Sequence, residues 1–581
     1  MRRGMGTLTT RIRAMTARVV ETGRDHQEFL LLLALFVSLR LSLLVISRPQ
    51  GYLLDISDYN FYLQFGQMAD QGLYPDLQYW TEYPPIFPWL AVAAYKVVEG
   101  LPTIGGSPLL WFRMALGSVL LLFDIGNLVL IYWLGCTLHG KNSGLQIGWI
   151  YALLFTPLAV WLGWFDTMPL FFLLLGTALI VNGKPRGAAL AAGLGFMVKV
   201  LPILVLPVLL KVERRLWRRP ELVAWAGLAA AAVAAPFLLL APQYLAASFL
   251  SMTSRSPWET VWAIAEDYYG YGWVTPLQNR FDPSTATDTT YTSHLPWMAI
   301  SLAFAAIYLL IWTRPLHLEQ PFNVVAFSGL TLNIFMLYSK GYSPQFLLYL
   351  VPFALLVLPR WRAVTYITVL SCINLLEYPV YVVLFRDQNW IMRDLVFMRS
   401  LLLLILTWEY LTLLGLLPSL VMARRLAAYG TITAFLGWGL ISIPAAGNEW
   451  VHSSQERDPN AAMIDYLAAN AGPSAAVVFT DPGLYRALYP YLFQRTNLLL
   501  IDPAIDDRIA SLSLAGRSVP SNRPDLATRL DQIASTYSEV FSLSLVSDQR
   551  WKQVGLLLAT REVLIASRRV NDLSVNRWRA K

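Results

Sequence analysis

Charge is scarce in this 581-residue chain: Asp, Glu, Lys and Arg make up 14% of it, where a soluble domain carries about 25%. So small a share excludes an ordinary soluble fold of this size. Cysteine is scarcer still. The only two, Cys136 and Cys372, lie inside apolar stretches, which excludes a disulfide framework. The five histidines are scattered, with no His-x-x-x-His or Cys-x-x-Cys pair, so no metal site is expected from them. Neither Gly-x-x-x-x-Gly-Lys-Ser/Thr nor a Rossmann glycine run occurs, which removes the usual backbone cradles for nucleotide phosphate. Internal repeats and low-complexity tracts are missing too. No cofactor is predicted.

What remains is apolar and aromatic. Hydrophobic residues are 56% of the chain, with 21 Trp and 28 Tyr, and amphipathic rings of that kind gather at headgroup level. The net charge of +8 sits in an N-terminal arm and in short loops between apolar runs. Membrane lipids, and not nucleic acid, are therefore the expected partners of that charge. The first apolar run, after Arg2, Arg3, Arg11, Arg13, Arg18 and Arg24, is too long for a signal peptide and no small-residue cleavage site follows it, so it reads as a first anchor.

A crossing needs roughly 20 mostly apolar residues. Candidates are Glu28–Ser47, Leu109–Trp133, Leu145–Leu162, Met168–Asn182, Leu222–Leu240, Pro296–Trp312, Asn323–Tyr338, Phe346–Leu358, Val364–Phe385, Leu395–Leu417 and Ala428–Pro444. Gly187–Leu210 is apolar but interrupted by Lys199, Pro202 and Pro207, and basic clusters flank it on both sides; it reads as a bent helical hairpin. Basic loops alternate with acidic, aromatic and proline-rich ones. By the positive-inside rule the N-terminus is cytoplasmic and everything after Pro444 lies outside. The fold class is thus a polytopic α-helical membrane protein of about 11–13 spans, with a small extracytoplasmic α/β domain at the C-terminus. Three parts follow: a basic arm over residues 1–27, a membrane module over 28–446 and the outer domain over 447–581. In that domain Asp458–Asn470 and Asp525–Ser535 read as helices, Ala475–Phe479, Leu498–Ile501 and Glu562–Ala566 as strands, and Asp481–Gly483 as a turn.

The external loop 48–108 carries the chemistry. It contains Asp55-Ile-Ser-Asp58-Tyr59-Asn-Phe-Tyr62, then Gly72-Leu-Tyr74-Pro75-Asp76, then Glu82-Tyr83-Pro84-Pro85. Asp58 follows a span exit closely, at the depth where a polyprenyl headgroup presents its sugar, and a carboxylate there can accept a proton from an attacking hydroxyl. Tyr62 is one helical turn on and shares its face. The same spacing also suits an Asp58 that merely caps a juxtamembrane helix.

In order and topology these residues resemble the first external loop of the GT-C superfamily of membrane glycosyltransferases. The resemblance is nearest to bacterial polyprenol-phosphate-mannose-dependent mannosyltransferases, and more distant to eukaryotic dolichol-phosphate-mannose enzymes. Trp164-Phe165-Asp166 with Lys199-Val-Leu-Pro202 resembles the same families' middle section, and Ser339-Lys340-Gly341-Tyr342-Ser343-Pro344-Gln345-Phe346 their later external motif. The likeness spans about Leu30 to Gln345 and leaves the C-terminal domain out. It implies transfer of a hexose, by family habit mannose, from a polyprenyl-phosphate donor to a glycan or glycolipid acceptor, with inversion at the anomeric carbon. The general base falls on Asp58, with Asp55 as the alternative. Substrate contacts are expected from Tyr62, Glu82, Tyr83, Asp166, Lys340, Gln345 and Arg40. Lys340 is placed to neutralise the leaving phosphate; Arg255, Arg280, Arg386 and Arg393 are weaker candidates for that task. Arg40, inside the first span, has Asp124 as a possible structural partner. Some members hold a divalent metal between acidic residues; without a second acidic cluster none is expected here. A lipid-linked-sugar flippase or other transporter is the competing class.

Overall fold

The computed structural model describes residues 25–46, 57–101, 109–270, 272, 274–289, 291–382, 385, 388–455, 459–479, 484, 488, 492, 497–500, 526–545, 551–570 and 573–580. Helix dominates the first four-fifths of the chain, as apolar sequence in a bilayer requires, because no water is there to satisfy bare backbone groups. Among the described residues, five helices are long and apolar enough to cross: Gln27–Val45, Leu109–His139, Leu216–Leu240, Pro321–Tyr338 and Arg360–Tyr381.

That is fewer than the sequence suggests, for two physical reasons. Some runs are broken. Lys141–Leu153 and Phe155–Gly163 form one path bent by 52°, at a point where Pro157 cannot donate to the Leu153 carbonyl and continue the ladder. Others are short, among them Thr167–Val181 and Trp297–Thr313, or carry charge. Helix Asn389–Leu413 buries both Arg399 and Glu409.

The hairpin has its expected form. Helix Pro185–Phe196 stops, the chain turns through Met197–Val200, and a 3₁₀ turn at Leu201–Leu204 leads into helix Val205–Val212. Gly193 lets this hairpin lie backbone to backbone on helix Arg219–Leu240, since a Cβ there would stand 2.1 Å from the Ala226 carbonyl oxygen. Small residues permit such close approach of apolar helices.

The first loop folds as two helices, Tyr59–Ala69 and Ile86–Val98. Between them, Gly72 takes φ = 75°, a left-handed value that suits glycine. The motif at residues 339–346 is tied to the loop that precedes it: Trp258 N–H donates to the Lys340 carbonyl at 3.2 Å, and Tyr342 N–H to the Trp258 carbonyl at 3.1 Å.

The C-terminal part is a mixed five-stranded sheet. Strands β1 (Ala475–Phe479), β2 (Asn497–Leu500), β3 (Glu539–Leu545), β4 (Glu562–Val570) and β5 (Leu573–Ala580) run in the order β2-β1-β3-β5-β4. The pairs β2-β1 and β1-β3 are parallel, and β3-β5 and β5-β4 antiparallel. Every residue of β1 is buried, as a central parallel strand demands. Helices Pro459–Asn470, Leu526–Thr536 and Trp551–Arg561 accompany the sheet. The expected turn Asp481–Gly483 and the last residue of the expected strand Leu498–Ile501 lie outside the described residues.

Candidate active site

Asp58 stands at the N-cap position of helix Tyr59–Ala69 yet makes no side-chain cap hydrogen bond. A capping aspartate would turn its oxygen onto the helix's own N–H groups; this one instead receives the Tyr62 hydroxyl at 3.5 Å. Its backbone N–H donates to the Gly163 carbonyl at 3.0 Å. That bond sets the start of the first loop directly against Trp164-Phe165-Asp166. Tyr62 is fully buried. Burial pushes its hydroxyl well above the usual tyrosine range, and Tyr83, Asp58, Asp166 and Glu82 add to the effect. Those four groups therefore face one phenol, although the sequence separates them by up to about a hundred residues.

Asp166 repeats the Asp58 arrangement at the N-terminus of helix Thr167–Val181, again without a cap hydrogen bond. Its Oδ1 accepts from Lys199 Nζ at 2.5 Å and from the Tyr349 hydroxyl at 2.5 Å. Its Oδ2 is buried with no partner. Lys199, supplied by the hairpin turn, lies between the rings of Phe165 (5.2 Å) and Phe346 (4.9 Å). The neighbouring wall is aromatic: Phe87 stacks on Phe165 at 3.7 Å, with Tyr83 at 4.9 Å from Phe165 and Tyr62 at 4.7 Å from Phe87. Rings packed edge to face and stacked in this way fix one another's orientation.

Cations complete the arrangement. Arg280 donates to Glu82 at 2.7 Å and to the Thr275 carbonyl at 2.6 Å, while its Nη1 is buried and bare. Arg255 donates to the Gly272 carbonyl, and its Nε is likewise buried and bare. Burial pushes the Arg255 guanidinium below its ordinary range, and repulsion from Arg280 acts the same way against the pull of Glu82, Tyr83 and Glu259. Each guanidinium thus keeps an unused N–H, the kind of group an anion engages.

The loop bearing Glu82 and Tyr83 is held from behind. Trp80 N–H donates to the Arg280 carbonyl at 3.1 Å. Thr81 N–H donates to Ser248 Oγ at 3.0 Å, and Ser248 Oγ reaches Asp76 Oδ1 at 2.8 Å. Asp76 is fully buried at φ = 60°. Burial raises its carboxyl to about 7, against the hydrogen bonds of Ser248 and Thr81.

Asp58, Tyr62, Glu82, Tyr83 and Asp166 are thus brought together. Lys340 is not brought to them by its ammonium, which donates to the Thr253 carbonyl at 2.9 Å and lies 5.0 Å from the Trp297 ring. Burial alone lowers its titration. Its carbonyl is what serves the site, by ordering Trp258–Thr260. Gln345 is half-buried in the 3₁₀ turn Pro344–Phe346, beside the ring that flanks Lys199. Arg40 is fully buried in the first helix, paired with Asp124 at 2.7 Å over the Phe36 ring at 3.3 Å. Tyr151 donates to the other Asp124 oxygen at 2.8 Å. This is the structural pairing that a charge inside a span requires. Asp55 and Arg386 lie outside the described residues. Among the described residues, no group of three or more His, Cys, Asp or Glu side chains gathers for a metal.

Residues 101–339 match the family model of glycosyltransferase family 87. No curated protein matches the chain. Among solved structures, ArnT from Cupriavidus metallidurans, both in the apo state and bound to undecaprenyl phosphate, aligns at a TM-score of 0.41 with 16% identity, over 94% of this chain and 97% of that one. The Archaeoglobus fulgidus oligosaccharyltransferase, in complex with Zn and sulfate, aligns at 0.28 with 11% identity, over 88% of this chain and 67% of that one.

Proposed function

We propose that the chain is an inverting membrane glycosyltransferase that moves a hexose, by resemblance mannose, from a polyprenyl phosphate to a glycan or glycolipid acceptor outside the cytoplasm. The observation that carries this reading is that one first-loop segment, Glu82-Tyr83, is acted on by both a half-buried Asp58 and Arg255 at Tyr83 and is paired with Arg280 at Glu82, the two guanidiniums each keeping an unused N–H. The match of residues 101–339 to a glycosyltransferase family supports an enzyme over a flippase.

Each part has a chemical task. Asp58 takes the proton of the acceptor hydroxyl as its oxygen attacks the anomeric carbon. Arg255 and Arg280 receive the charge that gathers on the departing phosphate. Asp166, with Oδ1 anchored by Lys199 and Tyr349, offers Oδ2 to a sugar hydroxyl, and the half-buried Tyr83 ring offers a face to the sugar. Holding the donor by its lipid tail confines the sugar to the membrane surface and lowers the entropic barrier to attack.

The donor class is decided by an assay with purified protein, a candidate acceptor, and either polyprenyl-phosphate-mannose or GDP-mannose. Transfer is expected from the lipid donor. Transfer from the nucleotide donor alone would overturn the reading. Movement of intact lipid-linked sugar across a vesicle bilayer, with no glycosidic bond formed, would favour the flippase.

Orientation follows from the basic loops. Residues 448–581 are placed outside, together with the first loop, and the N-terminus inside. Reporter fusions near Arg457 are expected to give the extracytoplasmic signal; a cytoplasmic signal would move the sheet domain to the other side and with it the proposed acceptor.

A further inference from the structure

The loop that carries Glu82 and Tyr83 is fastened through one hydroxyl. Ser248, on helix Pro242–Ser254, has three polar neighbours: the Thr81 N–H at 3.0 Å, the Tyr244 carbonyl at 3.0 Å and Asp76 Oδ1 at 2.8 Å. A hydroxyl has one hydrogen to give and two lone pairs to receive with. The Thr81 N–H only donates, and the Tyr244 carbonyl only accepts. All three contacts are hydrogen bonds at once when Ser248 donates to Tyr244 and a protonated Asp76 donates to Ser248. An ionised Asp76 has no hydrogen to give; it must take the one on Ser248, and the bond to Tyr244 is lost.

The rest of the surroundings agree. Thr81, the other hydroxyl that acts on Asp76, has spent its hydrogen on the Tyr83 carbonyl at 2.7 Å. Asp76 Oδ2 is buried with no partner, and a buried carboxylate is costly without several donors. Tyr79 is the titratable side chain beside it, and its hydroxyl is also buried and bare. Among the described residues no cation acts on Asp76. Arg280, which acts on Tyr79, is paired with Glu82 at 2.7 Å. Burial therefore prevails, and the Asp76 carboxyl is raised to about 7.

We propose that Asp76 works as a neutral acid, a hydrogen-bond donor that positions Glu82 and Tyr83 through Ser248 and Thr81. The connection is short. Asp76 holds Ser248, Ser248 receives the Thr81 N–H, and Thr81 Oγ1 closes on the Tyr83 carbonyl, with Glu82 between the two ends of that last bond. The consequence for catalysis rests on the reading of Glu82 and Tyr83 as part of the glycosyl-transfer site. Loss of the proton leaves a buried charge with too few donors. Water drawn in to solvate it loosens residues 76–83, and Glu82 and Tyr83 lose their fixed places. The acid is neutral below about pH 7 and charged above it, so the order of the loop, and transfer with it, falls as pH rises.

Asparagine separates a neutral donor from a carboxylate. It tolerates the left-handed φ of 60° at this position as aspartate does, and its amide N–H replaces the acid O–H toward Ser248. In the full chain, kcat/KM for polyprenyl-phosphate-mannose is expected to fall by about tenfold to a hundredfold between about pH 6 and pH 9, the scale of a small misplacement. It should stay level in Asp76→Asn and be low throughout in Asp76→Ala. Infrared difference spectra of wild type against Asp76→Asn cancel the other carboxyls; a protonated-carboxyl band is expected at about pH 6 and gone by about pH 9. Exchange of the Thr81 amide needs neither activity nor a variant. Above about pH 7 it should accelerate more steeply than in an unstructured peptide. No protonated band at the lower pH, Thr81 exchange that only tracks the peptide, or a pH profile that Asp76→Asn leaves unchanged would overturn the proposal. The expected infrared and exchange results with no transfer from the lipid donor at any pH would remove the transfer reading and leave the proton-ordered loop standing.

Discussion

Asp58→Asn is expected to lower turnover by about a hundredfold to ten-thousandfold, the usual cost of losing a general base, without loss of folded protein. The substitution spares the backbone: the residue 58 N–H still donates to Gly163, and an amide oxygen still accepts from Tyr62. What it removes is the capacity to take the acceptor's proton. No helix cap is lost, because the side chain makes no cap hydrogen bond. Steady-state rates on the purified variant, with thermal unfolding in detergent as a control, measure the effect. If Asp58→Asn keeps near-normal turnover and Asp55→Asn loses it, the base is Asp55.

Arg280→Ala is expected to lower kcat/KM by about a hundredfold to a thousandfold, equivalent to about 3–4 kcal/mol of transition-state stabilisation. The guanidinium spans two tasks: one N–H group holds Glu82 at 2.7 Å while Nη1 is unused. Removing it also leaves Glu82 poorly compensated, and breaking a buried pair destabilises by about 3–5 kcal/mol. Arg280→Lys separates the two effects, since a point charge can retain Glu82 but cannot bridge to a phosphate as a planar fork does. The Lys variant should fold and still show a raised KM for the lipid donor. A Lys variant with wild-type donor kinetics would remove Arg280 from the phosphate site.

The sequence makes local spacing legible and leaves long-range meeting hidden. Asp58 and Tyr62 are four residues apart, so a helical turn is enough to put them on one face, and they do meet. The hairpin announces itself through Lys199, Pro202 and Pro207. That Lys199 closes on Asp166, 33 residues earlier, is a consequence of how two helices pack, and no period in the sequence records it. Arg255 and Arg280 lie in an irregular loop without hydrophobic periodicity, so little in the sequence ranks them above Lys340. The difference is made by carbonyls: Thr253 captures the Lys340 ammonium, whereas Thr275 and Gly272 aim the two guanidiniums. Crossings were harder to count than to locate, because bends and buried charges shorten the helices that apolar runs imply. In the C-terminal domain, β1 is plain from its unbroken apolar run. β5 is not, because Arg577 and Arg579 interrupt its pattern; both turn to Glu539 on β3, which makes them part of the sheet.

The central claim is that Asp58 and the Arg255–Arg280 pair bracket a single reacting centre. A structure of the full chain with a polyprenyl monophosphate bound tests it most directly. The phosphate is expected within hydrogen-bond distance, about 2.7–3.2 Å, of both guanidiniums, with Asp58 facing the side from which the sugar has left. A phosphate held at Lys340, with Arg255 and Arg280 untouched, would contradict it.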